Sequence, residues 1–271
     1  MIVVTGATGN VGSRLVTLLA EAGERVTAVS RQAAEPPEGV RHVRADLGET
    51  AGLTAAFEGG DALFLLVAGE DPEGVLRAAR DAGIRKVVLL SSLGAATRPD
   101  AYRHPVAFEE AVRASGLEWT VLRPGGFHSN AYAWAGPVRA SRTAAAPYAG
   151  VGLPTIDPED IAEVAAAVLR EDGHAGRTYE LTGPAPTTPR ERAAAIGEAI
   201  GEPVRFVEQT REEARAQMLA IMPEPVVEGT LSILGAPLDA ERRVSPDVER
   251  VLGRAPRSFA DWATRNAAAF K

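Results

Sequence analysis

The sequence predicts an α/β protein built on a doubly wound parallel sheet, with a smaller, mostly helical C-terminal lobe. Over the first two-thirds of the 271 residues, short β-branched and apolar runs alternate with stretches of helical period, which is the pattern of βαβ units. Several of the runs, such as Ala62–Val67, are apolar on both faces, as expected for parallel strands that helices cover on each side. After Gly183 helix start signals replace this alternation.

The predicted strands are short and regularly spaced. They are Ile2–Thr5, Arg25–Val29, Val40–Arg44, Ala62–Val67, Lys86–Ser91, Trp119–Leu122 and Thr178–Leu181. A helix is predicted after the first strand, because apolar residues from Val11 to Ala22 recur on one face and Gly23 supplies a stop. Asp71-Pro72 and Asp157-Pro158 open two further helices.

The domain organisation follows from the change of pattern. Thr188–Glu191 and Thr210–Glu213 both have the residues of a capping box, with a short strand predicted at Pro203–Glu208 between them. We place a nucleotide-binding domain at residues 1–183, a substrate lobe at 184–245, and a C-terminal segment at 246–271 whose helix, Ser258–Phe270, packs on the main body. The segment 129–150 is expected to line the substrate cleft.

Composition excludes several classes of function. The chain has no cysteine and only four histidines, so thiol nucleophiles and Cys-type metal sites are ruled out and no metal site is expected. A formal charge of −7 argues against a nucleic-acid partner, because phosphate binding needs a basic surface. No apolar run is long enough to cross a bilayer and no signal-like segment begins the chain. We expect a cytoplasmic monomer or homodimer with a small-molecule substrate and no membrane partner.

The glycine loop Thr5-Gly6-Ala7-Thr8-Gly9-Asn10-Val11-Gly12 lies directly between the first predicted strand and helix. That position brings backbone N–H groups and a helix N-terminus to the carboxyl edge of the sheet, where a pyrophosphate is stabilised. The loop therefore predicts a Rossmann-type dinucleotide site at Gly6 to Gly12. The alternative is a plain tight turn.

The end of the second strand favours NADPH/NADP+ over NAD(H). NAD sites place an acidic residue there to accept from the ribose 2′-OH, but the chain continues Ser30-Arg31-Gln32 and has no acid before Glu35. Arg31 can pair with a 2′-phosphate and Ser30 can donate a hydrogen bond to it. The alternative, a solvated loop arginine, stays open because 27 of the 29 basic residues are arginines, Lys86 and Lys271 being the two lysines.

Three further strand ends are predicted to contact the cofactor. Asp46 can accept from the adenine amino group while Leu47 lines the ring; alternatively, Asp46 caps a helix that starts near Glu49. The small residues of Val67-Ala68-Gly69 let the backbone pass close to the ribose and nicotinamide. Ser91 ends the fifth strand at the same edge.

Three stretches, Val4–Gly12, Val87–Ala95 and Val112–Phe127, resemble the atypical short-chain dehydrogenases/reductases, specifically the NmrA-like family of NADP-binding proteins. The resemblance covers residues 1 to about 180. It implies that Gly6–Gly12 hold the pyrophosphate, that Arg31 holds the 2′-phosphate, and that Pro124, Gly125 and Phe127 border the nicotinamide. Members of this family include quinone reductases, reductases of aromatic or polyketide-like substrates, and redox-sensing regulators.

The proton donor stays open, because the chain departs from the superfamily's Tyr-x-x-x-Lys pair. Tyr102 is followed four residues later by Val106, and no lysine lies between Lys86 and Lys271. A hydroxyl or a histidine that titrates near neutrality can replace the pair. The candidate catalytic residues are Ser92, Tyr102, His104 and His128, although either histidine can equally be a loop or helix-terminus side chain.

Aromatic residues are concentrated where the chain leaves the predicted sheet. Phe127, Tyr132, Trp134 and Tyr148 predict a flat apolar pocket for an aromatic or quinoid ligand. Core packing is the alternative interpretation.

Together these features predict an NADPH-dependent oxidoreductase. It is expected to transfer hydride to a carbonyl, quinone or conjugated enone of an apolar aromatic or polyketide-like molecule. Two other hypotheses remain: a non-catalytic NADP(H)-sensing regulatory protein, and a non-redox isomerase or dehydratase with a permanently bound nicotinamide.

Overall fold

The structure is a computed structural model that describes residues 1–271, and its centre is a seven-stranded sheet. The chain forms nine strands: β1 (Ile2–Thr5), β2 (Val26–Ser30), β3 (Arg41–Arg44), β4 (Ala62–Leu66), β5 (Lys86–Leu90), β6 (Glu118–Pro124), β7 (Thr143–Pro147), β8 (Arg177–Leu181) and β9 (Arg205–Gln209). The order in the main sheet is β3-β2-β1-β4-β5-β6-β8, and every neighbouring pair is parallel. The strand order reverses between β1 and β4, so the predicted doubly wound sheet is confirmed.

Thirteen helices accompany the sheet. They are α1 (Gly12–Glu21), α2 (Leu53–Phe57), α3 (Pro72–Asp81), α4 (Gly94–Thr97), α5 (Arg103–Ala114), α6 (Ala135–Ser141), α7 (Pro158–Arg170), α8 (Pro189–Ile200), α9 (Arg211–Leu219), α10 (Glu224–Gly235), α11 (Asp239–Arg242), α12 (Asp247–Leu252) and α13 (Phe259–Arg265). Helices α1 and α7 pack together, and α3 packs on α2 and α5. None of the helices combines the length and hydropathy needed to cross a bilayer.

The core has one apolar layer on each face of the sheet. Along β1, Val3 belongs to the cluster under α3 and α5, whereas Ile2 and Val4 belong to the cluster under α1 and α7. Successive strand residues point to opposite faces, so a strand covered on both sides must be apolar at every position. This explains the unbroken apolar runs in the sequence.

Local signals set the helix starts where the sequence predicts them. The Asp71 carboxylate accepts from the Gly74 N–H at the start of α3, and Asp157 accepts from the Glu159 N–H at the start of α7. The capping boxes of Thr188 with Glu191 and of Thr210 with Glu213 are both formed. Each cap satisfies backbone donors that have no partner within the helix.

A second, two-stranded parallel sheet is formed by β7 and β9. It joins the segment between β6 and α7 to the region of α8 to α10. Sequence reasoning predicted β9 but missed β7. The residues of β7, Thr143-Ala144-Ala145-Ala146-Pro147, lack the β-branched and aromatic side chains that mark a strand, so only the pairing reveals it.

The C-terminal segment contacts both parts of the molecule. Helix α12 packs on α7 and β8, whereas α13 packs on α8, which lies in the region predicted as the substrate lobe. The apolar contact of the last helix is therefore with α8, through a cluster of Phe259, Trp262, Ala193 and Ile196. The same helix also contacts the 1–183 region, where Phe259 meets the ring of His128 and Trp262 meets the ring of Tyr132.

Ion pairs connect the C-terminal segment to helix α7 of the main body. Arg254 and Arg257 both pair with Asp160 and Glu163 of α7, and Arg265 pairs with Asp157. The Asp160 side chain has 0% exposure. A carboxylate this buried is stable only when charged donors surround it.

Candidate functional site

The glycine loop turns tightly between β1 and α1. Gly6 has φ +63°, and a Cβ at Gly12 would lie 2.1 Å from the Gly6 carbonyl oxygen. A side chain at residue 12 would therefore push the helix away from the loop. The N–H groups of Thr8, Asn10 and Val11 donate no hydrogen bond within the protein. The loop thus presents free donors beside a helix N-terminus, which is the environment that a pyrophosphate needs.

The side chain of Asn10 connects this loop to the segment that follows β6. Its Nδ2 donates to the Ser129 Oγ at 3.2 Å. Ser129 belongs to a 3-10 helix, His128–Trp134, which continues toward the cavity described below.

The ends of β2 and β3 place two arginines side by side. Arg31 is exposed, and the Nε of Arg44 donates to the Arg31 carbonyl oxygen at 3.0 Å. Neither guanidinium has a carboxylate partner, so this edge of the sheet is suited to an anion such as a 2′-phosphate. Sequence reasoning missed Arg44, whose position at the end of a predicted strand was the available signal.

The hydroxyl of Ser30 is already engaged inside the protein. Its Oγ donates to the Gln32 carbonyl oxygen at 2.6 Å and lies 2.8 Å from the His42 Nε2. Because its one proton holds the turn after β2, this arrangement does not support Ser30 as a donor to a 2′-phosphate.

Asp46 closes a turn rather than a helix. Its Oδ1 accepts from the Gly48 N–H at 2.9 Å, and the next helical turn, Thr50–Gly52, has no side-chain cap. The alternative that Asp46 caps a helix near Glu49 is therefore wrong. The residue is exposed and its other carboxylate oxygen remains available, while Leu47 is buried in the core.

The end of β4 runs close to that turn. Gly69 has φ +82°, and a Cβ there would lie 2.7 Å from the Leu47 carbonyl oxygen, so residue 69 must be glycine. The preceding residues, Val67 and Ala68, are half-buried against the core. His104, in the first turn of α5, donates from its Nε2 to the Gly69 carbonyl oxygen. This hydrogen bond makes His104 a support for the strand end.

A cavity of about 570 Å³ lies where the carboxyl ends of β5 and β6 meet the C-terminal helices. Ser92, Leu93, Pro124 and Gly125 form its wall on the main sheet. The segment after β6 contributes Asn130, Ala131, Ala133, Trp134, Ala145, Ala146 and Pro147. Residues of α8, α9 and α10 close the far side.

Two adjacent serines have different environments at this edge. The Ser91 hydroxyl donates to the Glu109 Oε1 at 2.6 Å, and Glu109 also receives the Arg123 Nε at 2.9 Å. Burial by itself raises the pKa of Glu109, but hydrogen bonds from Arg123, Ser91 and Arg113 outweigh it and hold the pKa below its usual value. Ser91 is thus tied into a buried ion-pair cluster rather than facing the cofactor edge.

Ser92, in contrast, lines the cavity. Its Oγ accepts from the Gly94 N–H at 3.1 Å and donates to no protein acceptor. The hydroxyl proton is therefore free to donate to a ligand.

Tyr102 also lines the cavity, packed between two glycines. A Cβ at Gly94 would lie 2.6 Å from its ring, and one at Gly229 would lie 3.4 Å away. Burial raises the pKa of the Tyr102 phenol, and the nearby Glu241 carboxylate acts in the same direction. The phenol consequently stays protonated at neutral pH, as a hydrogen-bond donor must.

His128 lies outside the cavity. It is 1% exposed, its Nδ1 hydrogen-bonds to the Thr155 Oγ1 at 2.9 Å, and its ring meets the edge of Phe259 at 5.2 Å. Burial lowers the pKa of His128 to about 4. A neutral, enclosed imidazole is not a proton donor at pH 7, so the placement argues against a catalytic role for His128.

Of the four predicted substrate aromatics, Trp134 alone lines the cavity. Tyr132 is 40% exposed and stacks on Phe270, Phe127 packs against the core, and Tyr148 lies beside Gly235. For these three, packing is the better interpretation. Much of the apolar lining comes instead from α9, α10 and the loop between them, which contribute Met218, Ile221, Met222, Ile233 and Leu234. Two of the three methionines of the chain are among these residues.

Comparisons with known proteins agree with this geometry. Residues 6–172 match the model of an NAD(P)H-binding family. The chain is 39% identical over its whole length to (4-alkanoyl-5-oxo-2,5-dihydrofuran-3-yl)methyl phosphate reductase of Streptomyces griseus, covering 99% of that protein. It is 35% identical, with the same coverage, to an NAD(P)H azoreductase of Xenophilus azovorans. An NADPH-dependent quinone oxidoreductase of Escherichia coli superposes with a TM-score of 0.80 at 25% identity, covering 98% of this chain and 99% of that one.

Proposed function

Because the chain belongs to the NAD(P)H-binding family, we propose that it is a reductase that uses NADPH to reduce a quinone, carbonyl or conjugated enone of an unsaturated small molecule. The observation that carries the proposal is the cavity of about 570 Å³ at the carboxyl ends of β5 and β6, the same edge of the sheet at which the glycine loop follows β1. A concave, largely apolar site outside the carboxyl ends of the strands is where such a sheet binds its ligands. The relatives reduce a furanone phosphate, azo compounds and quinones, which share flat conjugated systems.

The residues at the carboxyl edge fit a dinucleotide. The free N–H groups of the loop from Gly6 to Gly12 would hold the pyrophosphate, and Arg31 with Arg44 would hold the 2′-phosphate. The exposed oxygen of Asp46 is placed to accept from the adenine amino group. When bound, the cofactor supplies a hydride.

The hydride brings two electrons, so reduction of a carbonyl also requires one proton at oxygen. We assign to Ser92 the hydrogen bond to the reacting oxygen, because its hydroxyl proton has no partner in the protein. Tyr102 is the second donor in the cavity. Donors fixed in this way stabilise the negative charge that develops on oxygen, and water can deliver the proton.

Turnover tests the proposal directly. Purified protein is mixed with NADPH and a panel of quinones, azo compounds and aromatic ketones, and the loss of NADPH absorbance is followed. We expect quinone-dependent oxidation of NADPH, faster than with NADH. If the protein binds NADPH but oxidises it with no member of the panel, the reductase proposal is wrong and the sensing hypothesis takes its place.

A further inference from the structure

Arg192, on the first turns of α8, is the one cation that lines the cavity. Its side chain forms no ion pair and no hydrogen bond with the protein, and its Nε is shielded from solvent without a partner. Many other arginines of this chain are paired; Arg254 and Arg257, for example, both pair with Asp160 of α7. The guanidinium of Arg192 is therefore a fixed, uncompensated positive charge in the cavity wall.

The charged residues around the cavity leave Arg192 without a counter-ion. Glu241 also lines the cavity, but Arg98 holds it in a bidentate pair at 2.8 and 3.0 Å. Glu191, beside Arg192 in sequence, is engaged by the Thr188 cap. Neither carboxylate is free to neutralise the guanidinium.

Packing holds the guanidinium in place. It lies 5.9 Å from the centroid of the Trp134 ring, a cation–π contact, and the Trp134 indole is itself fixed by a hydrogen bond of 2.8 Å to the Ala145 carbonyl oxygen. Burial lowers the pKa of Arg192 to about 10, which still leaves it charged at pH 7. A buried cation without a partner is unfavourable, and an anionic ligand would relieve that penalty.

We propose that Arg192 binds an anionic substituent, a phosphate ester, sulfonate or carboxylate, on the molecule that is reduced. This inference rests on the proposed reductase function and defines its substrate class. The substrate would place its reducible group toward Ser92, its apolar part against Met218, Met222 and Leu234, and its anion on the guanidinium. The planar guanidinium of arginine can donate two parallel hydrogen bonds to a phosphate ester, a sulfonate or a carboxylate.

A pair of quinones tests the proposal, 1,4-naphthoquinone and 1,4-naphthoquinone-2-sulfonate. The measured quantity is the ratio of kcat/KM for the sulfonate to kcat/KM for the neutral quinone. Because the ratio is compared between variants, the difference in reduction potential between the two quinones cancels. We expect Arg192→Gln to lower the ratio by about tenfold or more, and Arg192→Lys to lie between Arg192→Gln and the wild type.

Arg190→Gln is the matched control. Arg190 lies on the same helix and makes a similar cation–π contact, over Phe206 at 5.3 Å, but it is exposed and does not line the cavity. This variant should keep the wild-type ratio. The proposal is overturned if Arg192→Gln also keeps it, or if Arg192→Gln raises KM for NADPH alone, since the arginine would then serve the cofactor.

A binding measurement separates this inference from the reductase proposal. Titration calorimetry of the NADP+-loaded protein compares 2-naphthyl phosphate, naphthalene-2-sulfonate and 2-naphthoate with neutral 2-naphthol, and ranks the three anions. We expect the anions to bind more tightly than 2-naphthol, and Arg192→Gln to remove the difference. If no quinone is reduced but this dependence is found, the anion site stands and the reductase proposal fails. If quinones are reduced and binding is indifferent to Arg192, the anion site is refuted.

Discussion

Neighbouring residues of the same type acquire different chemistry at the end of β5. The Ser91 hydroxyl proton is used by Glu109, whereas the Ser92 proton has no acceptor and faces the cavity. What distinguishes them is the side of the sheet to which each points. Ser91 therefore stabilises the fold, and Ser92 is the residue available to a substrate.

The first prediction follows from this difference. Ser92→Ala should lower kcat for quinone reduction by about a hundredfold to a thousandfold, the range found when one donor to a developing oxyanion is removed. Steady-state kinetics at saturating NADPH measures it. Ser91→Ala is the control: it should reduce the free energy of unfolding and leave kcat close to wild type. Equal kcat in wild type and Ser92→Ala would exclude the role assigned to Ser92.

We also expect a single residue, Arg31, to decide the choice of cofactor. Arg31→Glu places a carboxylate at the proposed 2′-phosphate position and should raise the dissociation constant for NADPH by about tenfold to a hundredfold, with little change for NADH. Arg41→Glu, an exposed charge reversal at the opposite, amino end of β3, should change neither constant. Titration by fluorescence quenching measures both. An unchanged preference in Arg31→Glu would show that Arg31 does not contact the 2′-phosphate.

At the scale of elements, the geometry of the site depends on how closely α1 approaches β1. Gly12 is the first residue of α1, and its Cα lies against the backbone of Gly6 and Ala7. Side chains that would fit elsewhere on a helix are excluded here. The same packing brings the helix N-terminus, with its free N–H groups, to the edge of the sheet.

Gly12→Ala should therefore displace α1 from the loop. We expect the free energy of unfolding to fall by about 2 kcal/mol or more, because the new Cβ meets backbone rather than a flexible side chain, and NADPH binding to weaken with it. Gly136→Ala, in the last helix before β7, has no atom within 4 Å of its new Cβ and should stabilise the protein slightly. Urea unfolding compares the two variants. A Gly12→Ala protein as stable as wild type would mean that the close approach is not required.

At the scale of the whole molecule, His128 lies at the junction of the 3-10 helix after β6, Thr155 before α7, and Phe259 of α13. Three parts of the chain thus pack around the His128 imidazole. Enclosure keeps it neutral, because a charged ring would lose its hydration.

This junction predicts a dependence of stability on pH. The folded pKa of about 4 lies below the ordinary value of 6.5, so the unfolded chain takes up the proton first. Stability is complete above pH 6.5 and falls as the pH drops toward 4, by at most about 1.4 kcal/mol per pH unit. Between pH 6.5 and 5, where carboxylates of ordinary pKa stay mostly ionised, the free energy of unfolding of His128→Gln should lack this dependence on pH. Urea unfolding at several pH values measures it, and a slope that survives the substitution would contradict the assignment.

The sequence by itself determined the sheet, the glycine loop, the capped helices and the class of cofactor site. These features depend on residues close together in the chain: strand periodicity, a cap three residues from its partner, or a loop between one strand and one helix. Such local interactions have the same consequences in any surrounding structure. The strand β7 is the exception, since its alanines carry no local preference.

Only the tertiary structure decided which side chains reach the cavity. His128, Tyr132 and Tyr148 were reasonable candidates by position, yet long-range packing keeps them out of the cavity. Arg192, Met218 and Met222 instead reach it from α8, α9 and the loop after α9, which are distant in sequence. The charge on Arg192 has chemical meaning because no carboxylate faces it. That absence is a property of the assembled molecule, since it depends on every element that packs around the cavity.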